Sequence, residues 1–519
     1  MTKNASTRLI RRTLALAAIS FIASLVGCGK SSNPPAATET ATTAAPADNS
    51  NVAPPPAAAP VPSSRYAASE VPSAPKPDPK QIFKAHDREL YEKAGKLQND
   101  EKFAEAGKLY EEIVRLNSEF CGPEHYRTRF ARNRLRENQW FASLSAADCK
   151  RLHESRQLGE NAMEDRAQGR PAAAIDHTKE SAKILIDLGG KQTIAFGKLS
   201  ELNGVSAADL GDTATADRAL RVAIDVYSKT VGHPSLEESS ALAAMSEMFA
   251  AQGNMQASLQ CIMQAVNAES ACRLAGQPDA MASYLLCKLG RRFRDLGEYT
   301  LAEEIFKQSA TVARMANGIR SNEYIGCTQD LAAAYLYNGK LRETESLELE
   351  VLELIGQGGG AGSNTMDILA RGLLGTAYVQ MGKFDLADPI LMRTLDLAHN
   401  TMDENSPYVG LLLGGVAELD ISKKQYQAAE PLLTRAIALA EPKNDLYKPW
   451  FARLLNDQIT LLRNTGRAEE AAKVQARQQA MESSRVAMCG KLRDAGLLPK
   501  EVVAQPASQM AERPTPTTR

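Results

Sequence analysis

Small and bulky apolar residues fall in fixed register along most of this chain, and glycine punctuates the register. Gly169, Gly211, Gly253, Gly297, Gly339, Gly382, Lys424 and Gly466 recur at intervals of 42, 42, 44, 42, 43, 42 and 42 residues. Five residues after these landmarks stand Ala174, Ala216, Ser258, Ala302, Thr344, Ala387, Ala429 and Ala471, all small. Seven residues before them stand Ala162, Gly204, Ser246, Gly290, Ala332, Gly375, Ala417 and Ile459, small in seven of eight cases. Bulkier side chains flank the landmarks, four before (Phe249, Phe293, Tyr335, Tyr378, Leu462) and two after (Met255, Tyr299, Leu341, Phe384, Tyr426). Such a period predicts an all-α array of stacked antiparallel helix pairs, each pair too small to bury its own apolar face. Small residues on both helices let a pair approach to the short end of the ~8–10 Å range. The landmark glycine is expected to end the first helix in a left-handed conformation.

The first residues follow a different pattern. Lys3, Arg8, Arg11 and Arg12 precede the apolar run Leu14 to Val26, 13 residues long, which closes on Leu25-Val26-Gly27-Cys28. The run is shorter than the ~20 residues that span a bilayer, so it reads as the apolar part of a secretory signal. An ordinary signal peptide or an N-terminal membrane helix is the alternative. Residues 28–80 form a Pro/Ala/Ser/Thr-rich linker, with 12 of the chain's 25 prolines between residues 29 and 80. Such a segment buries too little apolar surface to offset its ordering entropy. The expected organisation is then 1–27 signal, 28–80 linker, 81–145 a degenerate repeat plus an extra helix near 125–139, 146–490 an array of about eight repeats, and 491–519 a disordered tail.

With 61 Lys and Arg against 62 Asp and Glu, there is no global electrostatic case for nucleic acid as a partner. The six histidines are scattered, no cysteine pair has zinc spacing, and no metal or cofactor is expected. Gly356-Gln357-Gly358-Gly359-Gly360-Ala361-Gly362-Ser363 lacks the Lys and the preceding strand of a phosphate loop and reads as an inter-repeat loop. Seven cysteines lie beyond Cys28. Cys261 and Cys287 read as buried thiols. Cys121 and Cys149, which flank the extra helix, are either a disulfide or two unrelated thiols. No convergent nucleophile, base and orienting group stands out, and a non-catalytic protein is expected.

Leu289-Gly290, Phe293, Gly297, Tyr299 and Ala302, and again Leu374-Gly375, Tyr378, Gly382, Phe384 and Ala387, resemble the tetratricopeptide repeat. That resemblance implies a right-handed superhelical solenoid that binds a protein or peptide in a concave groove. The 42-residue period is similar to the kinesin-light-chain-like subtype, as are the loops Val231-Gly232-His233-Pro234, Asn405-Ser406-Pro407-Tyr408 and Cys121-Gly122-Pro123-Glu124-His125. The groove asparagines of that subtype are largely missing: the corresponding pairs read Ala243-Ala244, Cys287-Lys288, Gln329-Asp330, Gly372-Leu373, Gly414-Gly415 and Asn456-Asp457. The Leu-Val-Gly-Cys box resembles a bacterial lipoprotein signal, which implies lipid on Cys28 and a membrane-tethered protein exported to the cell envelope, outer membrane included. Register places Glu247, Arg291, Arg294, Gln329, Tyr337, Gln380, Glu418, Asn456 and Arg463 on the groove face. Arg291 and Arg294 either grip a partner's carboxylate or phosphate, or are solvated or paired with Glu303 or Glu304. A structural role through the convex face or self-association is the second reading, and an undetected enzyme a remote third.

Overall fold

Residues 79–273, 280–358, 364–441 and 448–499 are described by a computed structural model. The signal-like segment, Cys28, nearly all of the linker and residues 500–519 lie outside them. Nineteen α-helices are present among the described residues, with no strand. An N-terminal unit comprises α1 (Pro79–Asn99), α2 (Phe103–Cys121) and α3 (Tyr126–Ala142). Four pairs follow: α4 (Ala146–Ala167) with α5 (Pro171–Asp187), α6 (Ile194–Leu210) with α7 (Thr213–Thr230), α8 (Leu236–Ala251) with α9 (Met255–Cys272), and α10 (Ala280–Asp295) with α11 (Tyr299–Asn317). Four more complete the array: α12 (Asn322–Tyr337) with α13 (Leu341–Gly356), α14 (Asn364–Gln380) with α15 (Phe384–Thr401), α16 (Pro407–Ser422) with α17 (Tyr426–Ala440), and α18 (Pro449–Asn464) with α19 (Ala468–Asp494). The fold is an all-α solenoid of repeats.

Two sequence boundaries move. Helix α1 begins at Pro79, inside the segment read as linker. At the other end α19 runs past residue 490 to Asp494, and Leu492 and Leu498 are buried, so the part of the expected tail up to residue 499 is structured. The apolar side chains hold it against the array.

Local chemistry sets the helix ends. Ser145, Thr193, Asp212, Ser235, Asn254, Ser321 and Ser406 each cap a helix by accepting a backbone N–H. All eight landmarks have positive φ, including Lys424 at 63°. At Lys424 the chain carries a side chain where the left-handed conformation costs an L-residue ~1–2 kcal/mol; the register of the array overrides the local preference.

The small-residue rows meet as the pairing requires. The row after the landmarks is fully buried from Ala174 to Ala429. Ser246 and Ser258 touch through their hydroxyls at 3.0 Å, and Thr344 Oγ1 donates to the Ala332 carbonyl at 3.3 Å. A Cβ on Gly290 would come within 2.7 Å of the Phe306 ring, and one on Gly375 within 2.6 Å of Leu391. Phe306 and Leu391 lie nine residues after their landmarks. That row, also occupied by Leu220, Ile262 and Leu433, fills the centre of each pair, and the sequence reading did not single it out.

First helices of successive pairs pack on one another (α4 on α6, α6 on α8, α10 on α12, α12 on α14, α14 on α16, α16 on α18), while second helices do not to any comparable extent. The first helices therefore take the shorter arc and line the inner face.

Candidate functional site: the inner face of the array

Opposite charges link neighbouring first helices across this face. Glu247 on α8 receives Lys288 at 2.9 Å and Arg292 at 2.7 Å, both from α10. Burial alone would push the Glu247 carboxyl up, but the charges of Arg292 and Lys288 hold it well below the usual carboxylate range. One pair further on, Asp330 of α12 accepts from Arg291 Nε at 2.8 Å and Nη2 at 2.7 Å, and from Arg294 Nη1 at 2.9 Å. The two guanidiniums outweigh burial there too, and the Asp330 pKa is lowered. The Cys287 thiol donates to the same carboxylate at 3.1 Å. On α16 and α18, Glu418 is fully buried with Arg453 Nη2 3.5 Å from its Oε2.

These contacts relocate the chemistry expected of the groove candidates. Arg291 and Arg294 pair with Asp330, not with Glu303 or Glu304; Glu303 is engaged by Lys340 at 2.7 Å and by Asn338 at 2.6 Å. Gln329 is buried and donates to the Met366 carbonyl at 2.7 Å, joining α12 to α14. Tyr337 stacks on Tyr299, with ring centroids 6.0 Å apart. Gln380 and Asn456 are half-buried on α14 and α18. Arg463 is exposed and donates to Gln475 within the last pair, away from the charge network.

Sequence reasoning missed Lys288, Asp330, Arg292, Arg453 and Tyr408. The signal was present in register. Glu247 and Arg291 stand six residues before their landmarks, and their partners Lys288 and Asp330 stand nine before the next. Tyr408 is a tertiary addition: the charges of Arg291, Asp330 and Arg294 act on its hydroxyl, whose pKa is raised mainly by burial. Arg453 likewise acts on Tyr337 from three pairs away. The inner face of the C-terminal half is thus narrow and mixed in charge.

The seven cysteines within the described residues are free thiols. Cys121 has Arg127 and Asp87 as its charged neighbours, whereas Cys149 has Glu101, Asp148 and Arg156. These surroundings do not overlap. The pair brought together is Cys287 with Cys327: the Cys327 thiol holds the Cys287 thiol well above its usual pKa, with burial adding to it. Ser309 Oγ lies 3.0 Å and Ser283 Oγ 3.5 Å from Cys327 Sγ.

The N-terminal half has a second polar assembly that no sequence signal marked. Helix α3 lies across the ends of α6, α7 and α8. Glu137 accepts from the Ile194 N–H at 2.6 Å, Tyr126 donates to Glu237 at 3.1 Å, and Arg129 donates to the Val231 carbonyl at 3.0 Å. Behind it Glu201 accepts from Tyr227 at 2.8 Å and Ser240 at 2.6 Å. Burial raises the Glu201 and Glu237 carboxyls and lowers the Lys198 ammonium.

Fold and inner face together define a helical-repeat solenoid with a charged, recessed interior. Residues 366–441 match the family model described as a tetratricopeptide repeat. No curated protein matches the chain. Among solved structures, BtubC (BKLC) from P. vanneervenii is 13% identical, with 50% of this chain and 94% of that one covered, at a TM-score of 0.36. NprR in complex with its cognate peptide NprX is 14% identical over 64% of this chain and 89% of that one, at a TM-score of 0.43. Aspartyl phosphate phosphatase F from Bacillus subtilis is 12% identical over 72% and 93%, at a TM-score of 0.44. Likeness of this degree says nothing of what this chain binds.

Proposed function

We propose that this protein is a non-catalytic interaction scaffold that holds a protein or peptide partner on the inner face of its array, tethered by lipid on Cys28 to a membrane of the bacterial cell envelope. The 42-residue period supports a kinesin-light-chain-like array, and the Leu25-Val26-Gly27-Cys28 box supports the anchor. One observation carries the binding reading. Arg291 is held by Asp330 through Nε and Nη2, remains about one-third exposed, and keeps Nη1 without a partner among the described residues. An arginine fixed in this way, with Tyr337 and Tyr408 on the same face, offers donors in set positions to a carboxylate or backbone carbonyl of a partner.

Crosslinking and pull-down from solubilised membranes tests this. Arg291→Ala, Arg294→Ala and Tyr337→Ala together are expected to lower partner recovery about tenfold, the result of losing one charge-assisted contact in a binding site. Recovery equal to wild type, with the fold intact by circular dichroism, speaks against the groove. The anchor has its own test: Cys28→Ser should move the protein from the membrane to the soluble fraction, and retention in the membrane overturns the lipid assignment.

The outer face supports a second reading. Leu349 and Met392 occupy the same register on α13 and α15, ten residues after Gly339 and Gly382, and are about half exposed, as is Leu386. Loss of partner or self-association on Leu349→Glu with Met392→Glu, and not on the arginine variants, would favour it.

A further inference from the structure

The last helix reaches back across the array. Helix α19 has 27 residues, against 15 in α17 and 16 in α18, and its second half continues beyond its partner α18 to the turn between α10 and α11. Arg485 Nη1 donates to the Leu296 carbonyl at 2.8 Å, Arg493 Nη2 donates to Glu298 Oε1 at 2.6 Å, and Cys489 Sγ lies 3.7 Å from the Leu296 carbonyl. Cys489, Leu492 and Leu498 join the buried cluster that contains Leu289, Phe293 and Leu296. The turn accommodates the arginine because Gly297 has no side chain: a Cβ there would stand 2.9 Å from Arg485 Nη1. These contacts connect residues 189 to 195 positions apart.

We propose that the second half of α19 is a clasp. It ties the pairs from α10 to α18 into a ring at the α10–α11 turn, and its opening widens the approach by which a partner reaches Arg291, one-third exposed while the clasp is closed, and Tyr337. The inference rests on the inner-face reading above. The contact is built for release. It uses two arginines, one carboxylate, one carbonyl and the short apolar set Cys489, Leu492 and Leu498 with Met488 and Leu497 partly buried beside them, and Val486 between the arginines is more than half exposed. The pairing of α18 with the first part of α19 is apolar instead, through Ile459, Leu462, Ala471 and Val474. Opening the clasp therefore leaves the last pair standing.

Cys489 reports the state of the clasp. It is 2% exposed, and burial pushes its thiol pKa up to about 11, so it should react with N-ethylmaleimide only when the clasp is open. In the full chain, Arg493→Glu places two carboxylates together. It is expected to speed Cys489 labelling about tenfold, as loss of a partly buried ion pair does, while labelling of Cys261 stays constant. The exchanged pair Glu298→Arg with Arg493→Glu is expected to return labelling toward wild type. In the crosslinking assay Arg493→Glu should raise partner recovery, where the Arg291 and Arg294 variants lower it. Cys489 labelling at the wild-type rate in Arg493→Glu would mean there is no clasp. Faster labelling with unchanged recovery, in an assay where the Arg291 and Arg294 variants still lose partner, overturns the gating role and leaves the groove reading intact. Should neither set of variants move recovery, the groove reading falls and the gate falls with it.

Discussion

Replacing Glu348 with Leu is expected to stabilise the protein by ~2–4 kcal/mol at neutral pH, from a relieved desolvation cost and a gained apolar side chain. Glu348 stands nine residues after Gly339, in the row that Leu220, Ile262, Phe306, Leu391 and Leu433 fill elsewhere. It is fully buried, and neither carboxyl oxygen has a hydrogen-bond partner. Apolar groups on either side, Ile325 with Val351 and Leu354, and Ala333 with Leu336 and Leu373, form separate clusters. Burial pushes the Glu348 pKa well above the carboxylate range. The folded chain keeps a proton that the unfolded chain releases above about pH 4.3. The Glu348 contribution to stability is therefore full below that value and falls as pH rises toward the folded pKa. Denaturant titrations compared between wild type and Glu348→Leu should show that the variant loses this group's part of the slope, while the parts due to Glu201, Glu237 and Asp330 remain. Because an array sums local terms, slower amide exchange should be confined to α12, α13 and α14. A Leu variant less stable than wild type at pH 7 would mean that the carboxyl has a role in the fold after all.

Removing Asp330 should have the opposite effect. Asp330→Ala leaves Arg291, Arg294 and the Cys287 thiol without their shared acceptor. Breaking a buried pair from one side costs ~3–5 kcal/mol, and partial exposure of Arg291 reduces this to about 2–3 kcal/mol through solvent screening. The lowered Asp330 pKa means that its contribution is present above the ordinary carboxylate pKa of about 3.9 and is lost as pH falls through the folded value. The Asp330→Ala penalty should therefore shrink in acid. A double-mutant cycle with Arg291→Ala separates the pair from the background: additive losses would show that the two side chains do not act together.

Much of the fold was legible because a repeat writes the same constraint many times. The eight landmarks and the small rows could be read without any tertiary information, and Lys424 was correctly placed among glycines by spacing alone. The charge network was half legible. Glu247 and Arg291 were selected by register, but their partners were read as absent asparagines, so the alternation of sign between Lys288 and Asp330 went unused. What the sequence did not disclose lies outside the period. The docking of α3 on Ile194, Val231 and Glu237 and the reach of α19 to Leu296 and Glu298 join distant residues, and contacts of that kind leave no local pattern. Glu348 was hidden because its row was not recognised as a row.

The array is braced at both ends. Helix α3 spans the ends of α6, α7 and α8, and α19 spans the pairs from α10 onward, so each half is tied to itself by contacts that skip several helices. The hydrogen bonds of α3 described above reach as far as α8, and those of α19 end on the turn between α10 and α11. The junction of α8 with α10 carries the Glu247 bridge to Lys288 and Arg292 and the apolar packing of Leu242 and Leu259 toward Leu285. A strain applied between the two termini is expected to concentrate at this joint, which Glu247 bridges through Lys288 and Arg292.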